Sequence, residues 1–327
     1  MSETWCCIGG TGTFGREAVR QLLADPGVRK IRVMSRDEKK QAELKAEFPE
    51  ASRENRLITM LGDVRDLERV DRACEGATHV LHAAALKRVE ACQADVEECI
   101  RTNVLGTLNV AKAVVRQGVE GAVLISSDKA ADPVNAYGTS KAMAEHAWLS
   151  TSRAWGSRST RLVAVRYGNV WGSRGSVVED WKARVAAGQP IHLRDPGATR
   201  FFFPICEGVR LAIWAGRSGE AGWLYAPMLK AATLGELASA FGAEIKIGAL
   251  LDAEKKHETL LTSHEASRCR DQGEPSIGLT FHAVAPITGT RPQSGRVGCG
   301  PVRSDEAPRL LPSQLRRAIS GEDVWTL

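Results

Sequence analysis

Short apolar runs alternate with amphipathic segments throughout the first half of the chain. The apolar runs are typical of buried strands, and the segments between them carry apolar residues at helical spacing. Strands that alternate with helices of about 10–20 residues predict βαβ units, a parallel sheet and hence a doubly wound α/β fold of six or more strands. The candidate strands are Trp5–Ile8, Lys30–Met34, Arg56–Leu61, His79–Ala83, Gly121–Ser126 and Leu162–Tyr167. The candidate helices are Gly15–Ala24, Glu38–Phe48, Leu67–Glu75, Val96–Val115 and Ala136–Ser152.

Composition and charge narrow the class of protein. Of 327 residues, 43% are hydrophobic and 25% are charged, which suits a globular chain with a sizeable core and excludes a wholly disordered one. No stretch approaches the ~18 consecutive apolar residues of a membrane span, so we expect no membrane partner. The start of the chain has no basic region before an apolar stretch, so we expect no signal peptide. A net charge of +5 without a dense basic run suits an anionic small molecule better than nucleic acid.

The chain has eight cysteines and none forms a C-x-x-C pair, so we expect no metal and no redox site. Several lie in apolar segments, where cysteine behaves as a small buried hydrophobe, and a reducing cytoplasm is the natural compartment. They are Cys6, Cys7, Cys74, Cys92, Cys99, Cys206, Cys269 and Cys299.

A glycine-rich loop joins the first predicted strand to the first predicted helix. Its spacing is G-x-x-G-x-x-G over residues 9–15. Gly9 permits a tight turn, Gly12 lets the backbone approach a pyrophosphate, and Gly15 lets the helix pack close to the sheet. The free N–H groups and positive dipole end of the helix then face the phosphates. The loop therefore predicts a dinucleotide site that includes Thr11, Thr13 and Phe14.

The end of the second predicted strand distinguishes between the two nicotinamide dinucleotides. An acidic residue at this point would bind the ribose 2′-hydroxyl of NAD, but Ser35 and Arg36 stand there. An arginine accommodates a 2′-phosphate, so NADP is favoured over NAD. Asp37 keeps NAD as the alternative cofactor, because its carboxylate could turn toward a ribose. Lys39 follows in the same segment and completes the predicted contacts.

The regular alternation of predicted strands and helices ends after Tyr167. Segments become shorter and glycines more frequent, and two helical patterns stand out, Val177–Ala187 and Leu234–Phe241. Residues 266–306 are rich in Gly, Pro, Ser and Arg with weak periodicity, which predicts loops and one or two strands. We expect an NADP-binding Rossmann-type domain over residues 1–170 and a smaller, interleaved substrate-binding region over 171–327, with a divergent tail from about 266.

A tyrosine and a lysine one helical turn apart form the predicted catalytic centre. Tyr137 and Lys141 lie at i and i+4 of a helix that Asn135 can cap, just beyond the serines that end the fifth strand. A free tyrosine has a pKa of about 10, and a neighbouring ammonium lowers it. Tyr137 can then remove a proton from a substrate hydroxyl that Ser127 holds. The alternative is an ordinary tyrosine and lysine on a surface helix.

These features resemble the extended short-chain dehydrogenase/reductases. The segments TGTFG, SRDEKKQ, GDVRD, HAAALKRVE, TNVLGT, SSDKAADPVNAYGTSK and RYGNVWGSRGSVV are similar to the UDP-N-acetylglucosamine 4,6-dehydratases of the C5-inverting, pseudaminic-acid-pathway type, within the polysaccharide biosynthesis protein family. The likeness is close over residues 5–180, patchy to about 265 and lost afterwards. It implies a homo-oligomer, a dimer or a ring of dimers, formed through the helices Val96–Val115 and Ala136–Ser152.

The resemblance implies roles for Asp128 and Lys129. A 4-epimerase needs only the tyrosine, lysine and serine, whereas a 4,6-dehydratase also removes a C5 proton and expels the C6 hydroxyl. By this resemblance Lys129 takes the C5 proton and Asp128 protonates the leaving oxygen, while NADPH returns hydride to C6. We expect the neighbouring Lys141 to push Lys129 toward the neutral amine that a base requires. The alternative is a structural salt bridge at Asp128.

The resemblance also assigns binding residues by matching positions. Cofactor contacts beyond the loop would come from Asp63, Val64, Ala83, Ala84, Ala85, Lys87, Asn103, Tyr137, Lys141, Tyr167, Asn169 and Val170. Contacts to a nucleotide sugar, with UDP favoured, would come from Lys87, Asn169, Ser173, Arg174, Thr199, Arg200, Glu254, Lys255, His257 and Glu258. An arginine fork suits a diphosphate better than a point charge does.

Several departures from the family pattern lie in the sugar-binding half, at Glu179, Phe203-Pro204 and Ala253, so another nucleotide or sugar stays open. The leading hypothesis is an NADP-dependent 4,6-dehydratase that inverts C5. The second is a nucleotide-sugar 4-epimerase or reductase of the same superfamily. A third, from another class, is a non-catalytic NADP-sensing regulator, against which Tyr137 and Lys141 argue.

Overall fold

The computed structural model describes residues 2–154, 160–249, 253–286 and 299–325. The strands are β1 (Glu3–Ile8), β2 (Val28–Ser35), β3 (Leu57–Leu61), β4 (His79–His82), β5 (Gly121–Ile125), β6 (Arg161–Val165), β7 (Asn169–Val170), β8 (Ile191–Leu193), β9 (Thr199–Phe203), β10 (Leu224–Pro227), β11 (Lys230–Thr233), β12 (Ile245–Ile247), β13 (Thr259–Leu261), β14 (Cys269–Glu274), β15 (Leu279–Val284) and β16 (Val302–Arg303). The α-helices are α1 (Thr13–Ala24), α2 (Glu38–Glu47), α3 (Pro49–Arg53), α4 (Leu67–Cys74), α5 (Val89–Ala94), α6 (Val96–Cys99), α7 (Gly106–Arg116), α8 (Ala136–Ala154), α9 (Val177–Ala186), α10 (Ile205–Ser218), α11 (Leu234–Ala240), α12 (Ser263–Ala266) and α13 (Pro312–Ile319).

A nine-stranded sheet forms the centre of the molecule, in the order β14-β15-β10-β6-β5-β4-β1-β2-β3. The strands from β10 to β3 in this order run parallel, and β14 and β15 add an antiparallel hairpin at one edge. The strand order reverses between β1 and β4, where a doubly wound sheet opens a crevice at the carboxyl ends of its strands. The predicted α/β fold and the six predicted strands are therefore confirmed.

The central strands of the first half, β1, β4 and β5, are buried on both faces. Trp5, Cys6, Cys7 and Ile8 of β1 are all buried, and every residue of β5 is buried as well. Helices cover both sides of such a sheet, so its strands read as continuous apolar runs rather than as an alternation. This is why their sequence pattern was distinctive.

The predicted helix Val96–Val115 is interrupted in the structure. Between α6 and α7 the segment Ile100–Leu105 forms a π-helix, and such turns are frequent at functional sites. The irregular turn buries Thr102 and Asn103, and the Asn103 carboxamide bonds to both backbone groups of Leu86 at 2.8 and 3.0 Å. A single uninterrupted helix was therefore the wrong prediction.

The chain after residue 170 contributes both to the main sheet and to a smaller layer. α10 packs against α1, and β10, β14 and β15 extend the sheet. The smaller layer has its own core, in which Trp181, Phe202 and Leu237 are buried. In the predicted loop region 266–306 the structure forms the β14–β15 hairpin and β16, while 287–298 lie outside the described residues.

The cysteines follow the prediction in part. Five of them are buried as single thiols and Cys206 is half-buried. Cys269 and Cys299 are the exception, because their sulfur atoms are in bonding contact and their Cα atoms are 5.7 Å apart. The C-x-x-C criterion could not find this pair, since the two residues lie 30 apart in the sequence. Within the described ranges, no helix is both long and apolar enough to cross a membrane.

Candidate active site

The glycine loop holds the conformation that its spacing predicts. Gly9 has a φ of +81°, and a Cβ atom there would lie 2.5 Å from the backbone nitrogen of Ala84. A Cβ atom on Gly15 would lie 2.2 Å from Cα of Gly10, so the helix and loop are in direct backbone contact. At Gly12 the nearest atom to an added Cβ is 3.6 Å away, and no side chain caps α1 at this residue. The start of α1 thus presents unpaired N–H groups suited to a phosphate.

A cleft of about 580 Å³ lies at the carboxyl ends of β1, β2, β4, β5 and β6, and we call it the strand-end cleft. Most of the predicted cofactor and catalytic residues line it. These are Gly9, Thr11, Gly12, Thr13, Phe14, Gly15, Ser35, Arg36, Asp37, Val64, Ala83, Ala84, Ala85, Lys87, Ser127, Asp128, Lys129, Tyr137, Lys141, Tyr167, Asn169 and Val170, together with the predicted substrate residues Ser173 and Arg174. Lining residues not singled out from the sequence include Met34, Lys40, Gly62, Thr102, Ser126 and Ile205.

Three predicted cofactor residues do not line this cleft in the described structure. Lys39 is exposed, and its neighbour Lys40 takes the lining position. Asp63 pairs with Arg65 at 2.6 Å. Asn103 is buried, and its amide group donates to the hydroxyl of Ser140 on α8 at 2.9 Å. Asn103 therefore holds α8 in position.

The ends of β2 and β3 bear on the choice of dinucleotide. Arg36 is half exposed, and its nearest carboxylate is that of Asp63 at 3.7 Å. Asp37 instead caps α2, accepting from the backbone N–H of Lys40 at 3.0 Å and pairing with the ammonium of the same residue at 2.8 Å. The Asp37 carboxylate is therefore engaged by its own helix, whereas the Arg36 guanidinium stands at the cleft.

The start of α8 positions the tyrosine. Asn135 accepts a hydrogen bond from the backbone N–H of Gly138 at 2.8 Å, which confirms the predicted cap. Tyr137 is buried at the cleft, and burial raises its pKa to about 12 while the Lys129 ammonium and a hydrogen bond with Ser127 act in the opposite direction. The Lys141 ammonium donates to the Ile125 carbonyl at 2.8 Å, and burial lowers its pKa to about 8. The Lys129 ammonium therefore favours the Tyr137 phenolate, an effect that the sequence predicts for Lys141.

Lys129 lies between two carboxylates. Its Nζ atom is 3.2 Å from Oδ1 of Asp128 and 2.9 Å from Oε1 of Glu258, and both carboxylates are buried. The Ser127 hydroxyl donates to the same oxygen of Asp128 at 3.0 Å. Glu258 reaches this point from the segment before β13. The family resemblance implies a substrate contact for Glu258 and does not place it beside Lys129.

This arrangement separates the protonation states of the three groups. Burial opposes the charge of Lys129, but the attraction of Asp128 and Glu258 outweighs burial and raises the lysine pKa above its ordinary value. Burial, reinforced by the Glu258 charge, raises the pKa of Asp128 although Lys129 acts against it. Glu258 is also buried, yet Lys129 and Arg200 hold its pKa below the usual range. The expected neutral lysine is therefore wrong for this structure, because two carboxylates face it.

Several buried polar atoms at these residues have no hydrogen-bond partner in the described structure. They are Oγ of Ser126, Oδ2 of Asp128, Oδ1 of Asn169 and Oε2 of Glu258. Buried polar groups are nearly always hydrogen-bonded, and groups left over at a cleft are the ones that a polar ligand satisfies. The catalytic end of the cleft is thus suited to a ligand rich in hydroxyl groups.

A second cleft continues from the first past Lys87, Lys129, Asn169 and Arg174. Nine Lys and Arg residues line it against five Asp and Glu, so we call it the basic cleft, and its charge favours an anionic ligand. The predicted substrate residues Arg200, Glu254, Lys255 and Glu258 also line it. Arginines not singled out from the sequence are Arg88, Arg184 and Arg194.

Two predicted substrate residues take structural positions instead. The Thr199 hydroxyl lies 2.8 Å from Nδ1 of His257 and 2.6 Å from the Ser304 hydroxyl. Neither Thr199 nor His257 is among the described residues that line the basic cleft. Both side chains instead help to join β9 to the segment before β13.

The sequence of this chain is similar to those of known proteins over most of its length. The family described as "Polysaccharide biosynthesis protein" matches residues 6–277. The UDP-glucose 4-epimerase of Rickettsia canadensis is 35% identical over 283 residues, which cover 84% of this chain and 82% of the relative.

Two solved structures extend the likeness to the fold. The X-ray structure of Pen from Bacillus thuringiensis is 30% identical with a TM-score of 0.89, and the match covers 98% of this chain and 99% of that one. The dTDP-glucose 4,6-dehydratase DesIV from Streptomyces venezuelae, with NAD and TYD bound, is 22% identical with a TM-score of 0.68, over 77% of this chain and 86% of that one.

Proposed function

Because this chain belongs to the polysaccharide biosynthesis protein family, we propose that its two connected clefts form the active site of an NADP-dependent nucleotide-sugar 4,6-dehydratase. The substrate we propose is UDP-N-acetylglucosamine, with inversion at C5. The observation that carries this proposal is the cluster of Asp128, Lys129 and Glu258 beside Tyr137 and Ser127. Oxidation of a hydroxyl uses the tyrosine and the serine, whereas an added acid and an added amine suit elimination of water.

The strand-end cleft fits a dinucleotide. The unpaired N–H groups at the start of α1 and the open space at Gly12 suit the pyrophosphate, and Arg36 suits a 2′-phosphate. Asp37 is occupied in capping α2, which supports NADP over NAD. When bound, the dinucleotide supplies hydride acceptance from C4 and hydride return to C6.

The chain's own residues supply the proton transfers. Ser127 orients the C4 hydroxyl and Tyr137 takes its proton, which generates a 4-ketone as hydride leaves the same carbon. The ketone acidifies C5–H, whose proton passes to Lys129, and the C6–O bond breaks as Asp128 delivers a proton to the leaving oxygen, which departs as water. A proton then returns to C5 on the opposite face, which completes the reduction of the C5–C6 double bond and inverts C5. The raised pKa of Asp128 favours its protonated form, which is the form that the elimination uses.

Lys129 must lose its own proton before it can act as the C5 base. The two flanking carboxylates hold it as an ammonium, and its side chain is 23% exposed, so this proton can pass to solvent. The elimination step therefore accelerates as pH rises toward the pKa of Lys129.

The basic cleft supports a diphosphate-linked substrate. Arg174 and Lys87 stand at the junction of the two clefts, and the Lys87 ammonium donates to the Arg174 carbonyl at 2.9 Å. Arg200 and Lys255 extend the positive lining from this junction. The sugar would then lie near Lys129 with its diphosphate toward these cations.

A homo-oligomer is also proposed, through the helices that the resemblance indicates. Val96, Ile100, Leu105 and Met143 lie on α6, the π-helix and α8 and are each 45–53% exposed. Large apolar side chains grouped on neighbouring helices favour burial against a second copy. Light scattering at several protein concentrations would test this, and a monomer throughout would contradict it.

A 4-epimerase is the second candidate, favoured by the name of the Rickettsia relative. Incubation of the purified protein with UDP-N-acetylglucosamine, followed by mass spectrometry, distinguishes the two. The dehydratase removes one water from the nucleotide sugar, and Lys129→Ala abolishes that loss. An unchanged mass with a new C4 epimer would establish the epimerase instead. NMR of the dehydrated product then gives the configuration at C5.

A further inference from the structure

Four side chains with metal-binding chemistry meet at the edge of the main sheet, outside the residues that line the two clefts. Cys269 and Asp271 are two residues apart on β14 and therefore lie on the same face of that strand. His282 on β15 is the cross-strand partner of Asp271, and Cys299 arrives from a later segment. The four ligand atoms all lie within 4.8 Å of one another. We call these residues the edge cluster.

The contacts within the edge cluster are close. Nδ1 of His282 is 2.6 Å from Oδ1 of Asp271, and Sγ of Cys299 is 2.9 Å from the same oxygen. Cys269 and His282 are buried, whereas the side chain of Asp271 is 51% exposed. The cluster therefore has a protected interior and one side open to solvent, as a metal that enters from solution requires.

Two kinds of cross-link are compatible with these positions. A disulfide between Cys269 and Cys299 fits the bonding contact of their sulfur atoms and their Cα separation of 5.7 Å. The same Cα separation allows two thiolates on one metal ion when the thiols are reduced and their sulfur atoms turn apart. A disulfide uses two of the four side chains and leaves a carboxylate pressed against a sulfur that has no proton to donate. A metal ion uses all four side chains, with their donor atoms moved apart to zinc–ligand distances of about 2.0–2.3 Å.

We propose that, with both thiols reduced, the edge cluster binds one zinc ion through Cys269, Asp271, His282 and Cys299. Two sulfurs, one imidazole and one carboxylate form the tetrahedral ligand set that zinc accepts, whereas calcium and magnesium take oxygen ligands. The ion joins the edge strand β14 to its neighbour β15 and to the segment at Cys299. All four positions are filled by protein, which indicates a structural ion that takes no part in the sugar chemistry.

The test is the metal content of the full-length protein, purified under reducing conditions without chelator. We expect one zinc per chain, and Co²⁺ in its place should give the visible absorption of a tetrahedral thiolate site. Asp271→Asn is the most informative variant because its side chain is largely exposed and its loss leaves a disulfide possible. It should lower zinc affinity about tenfold or more in competition with a chelator.

Further variants separate zinc from the alternatives. Cys299→Ser should remove the metal, while Cys206→Ser, a half-buried thiol outside the cluster, should retain it. A metal-free protein whose intact mass is lower by two hydrogens would establish the disulfide and overturn the proposal. A metal-free protein with both thiols reactive would overturn it as well.

Discussion

Replacing Glu258 with glutamine tests whether this buried carboxylate sets the protonation state of Lys129. Glu258 Oε1 lies 2.9 Å from the lysine Nζ, and its charge helps to raise the lysine pKa against the effect of burial. A lysine is inactive as a base below its pKa, so removal of the C5 proton must accelerate as pH rises toward that pKa. Removing one of the two negative neighbours lowers the pKa and moves the pH–rate profile to lower pH.

The size of the shift follows from the contact. A hydrogen bond to a charged group contributes about 1.5–3 kcal/mol, and 1.36 kcal/mol corresponds to one pH unit, which gives about one to two pH units. The lysine side chain is 23% exposed, so solvent screening favours the lower value, about one pH unit. At a fixed pH below the lysine pKa, C5 proton removal should then be about tenfold faster in the variant.

The assay is exchange of the C5 hydrogen with D₂O, followed by mass spectrometry as a function of pH. Glu244→Gln removes an exposed carboxylate outside both clefts and should leave the profile unchanged. Glu258→Asp retains the charge and should keep a profile close to that of the original protein. A folded Glu258→Gln variant with an unshifted profile would refute the account of Lys129.

Four further substitutions separate structural from chemical roles. Gly15→Ala places a Cβ 2.2 Å from Cα of Gly10 and should lower the free energy of unfolding by about 1–3 kcal/mol. At Gly12 an added Cβ has 3.6 Å of clearance, so Gly12→Ala should preserve the midpoint of thermal unfolding and weaken dinucleotide binding. Equal unfolding midpoints for the two variants would contradict this. Arg36→Ala should weaken NADP binding about tenfold and leave NAD binding nearly unchanged in a fluorescence titration; equal effects would argue against a 2′-phosphate contact. Asp128→Asn should retain oxidation at C4 in a single-turnover absorbance assay and slow water loss by about 10²–10⁴-fold, and normal water loss would exclude the acid role.

The first half of the fold could be predicted because its strands and helices leave regular apolar patterns in the sequence. A strand buried on both faces reads as an uninterrupted apolar run, as in Trp5–Ile8, and the helices between such strands have regular apolar spacing. The β14–β15 hairpin was less visible because β14 lies at the sheet edge, where exposed residues such as Asp271 alternate with half-buried ones such as Arg270 and no apolar run forms. The π-helix at Ile100–Leu105 has no periodic pattern of its own.

The candidate site likewise has a part that could be predicted from the sequence and a part that could not. Tyr137 and Lys141 share a helix face, so their spacing alone predicted that both would reach the cleft. The charge of Lys129 depends on Glu258, which is far away in the sequence and arrives through the fold of the second half. Likewise Thr199 and His257 are used to join segments, a role that matching positions could not distinguish from a substrate contact.

The central claim is that this site eliminates water across C5 and C6, and solvent deuterium tests it most directly. Purified protein incubated with UDP-N-acetylglucosamine in D₂O should yield a dehydrated nucleotide sugar that carries one deuterium, located at C5 by NMR. The product should be absent with Tyr137→Phe, which blocks the preceding oxidation. A C4 epimer without solvent deuterium would contradict the claim, because an epimerase returns the same hydride and leaves C5 untouched.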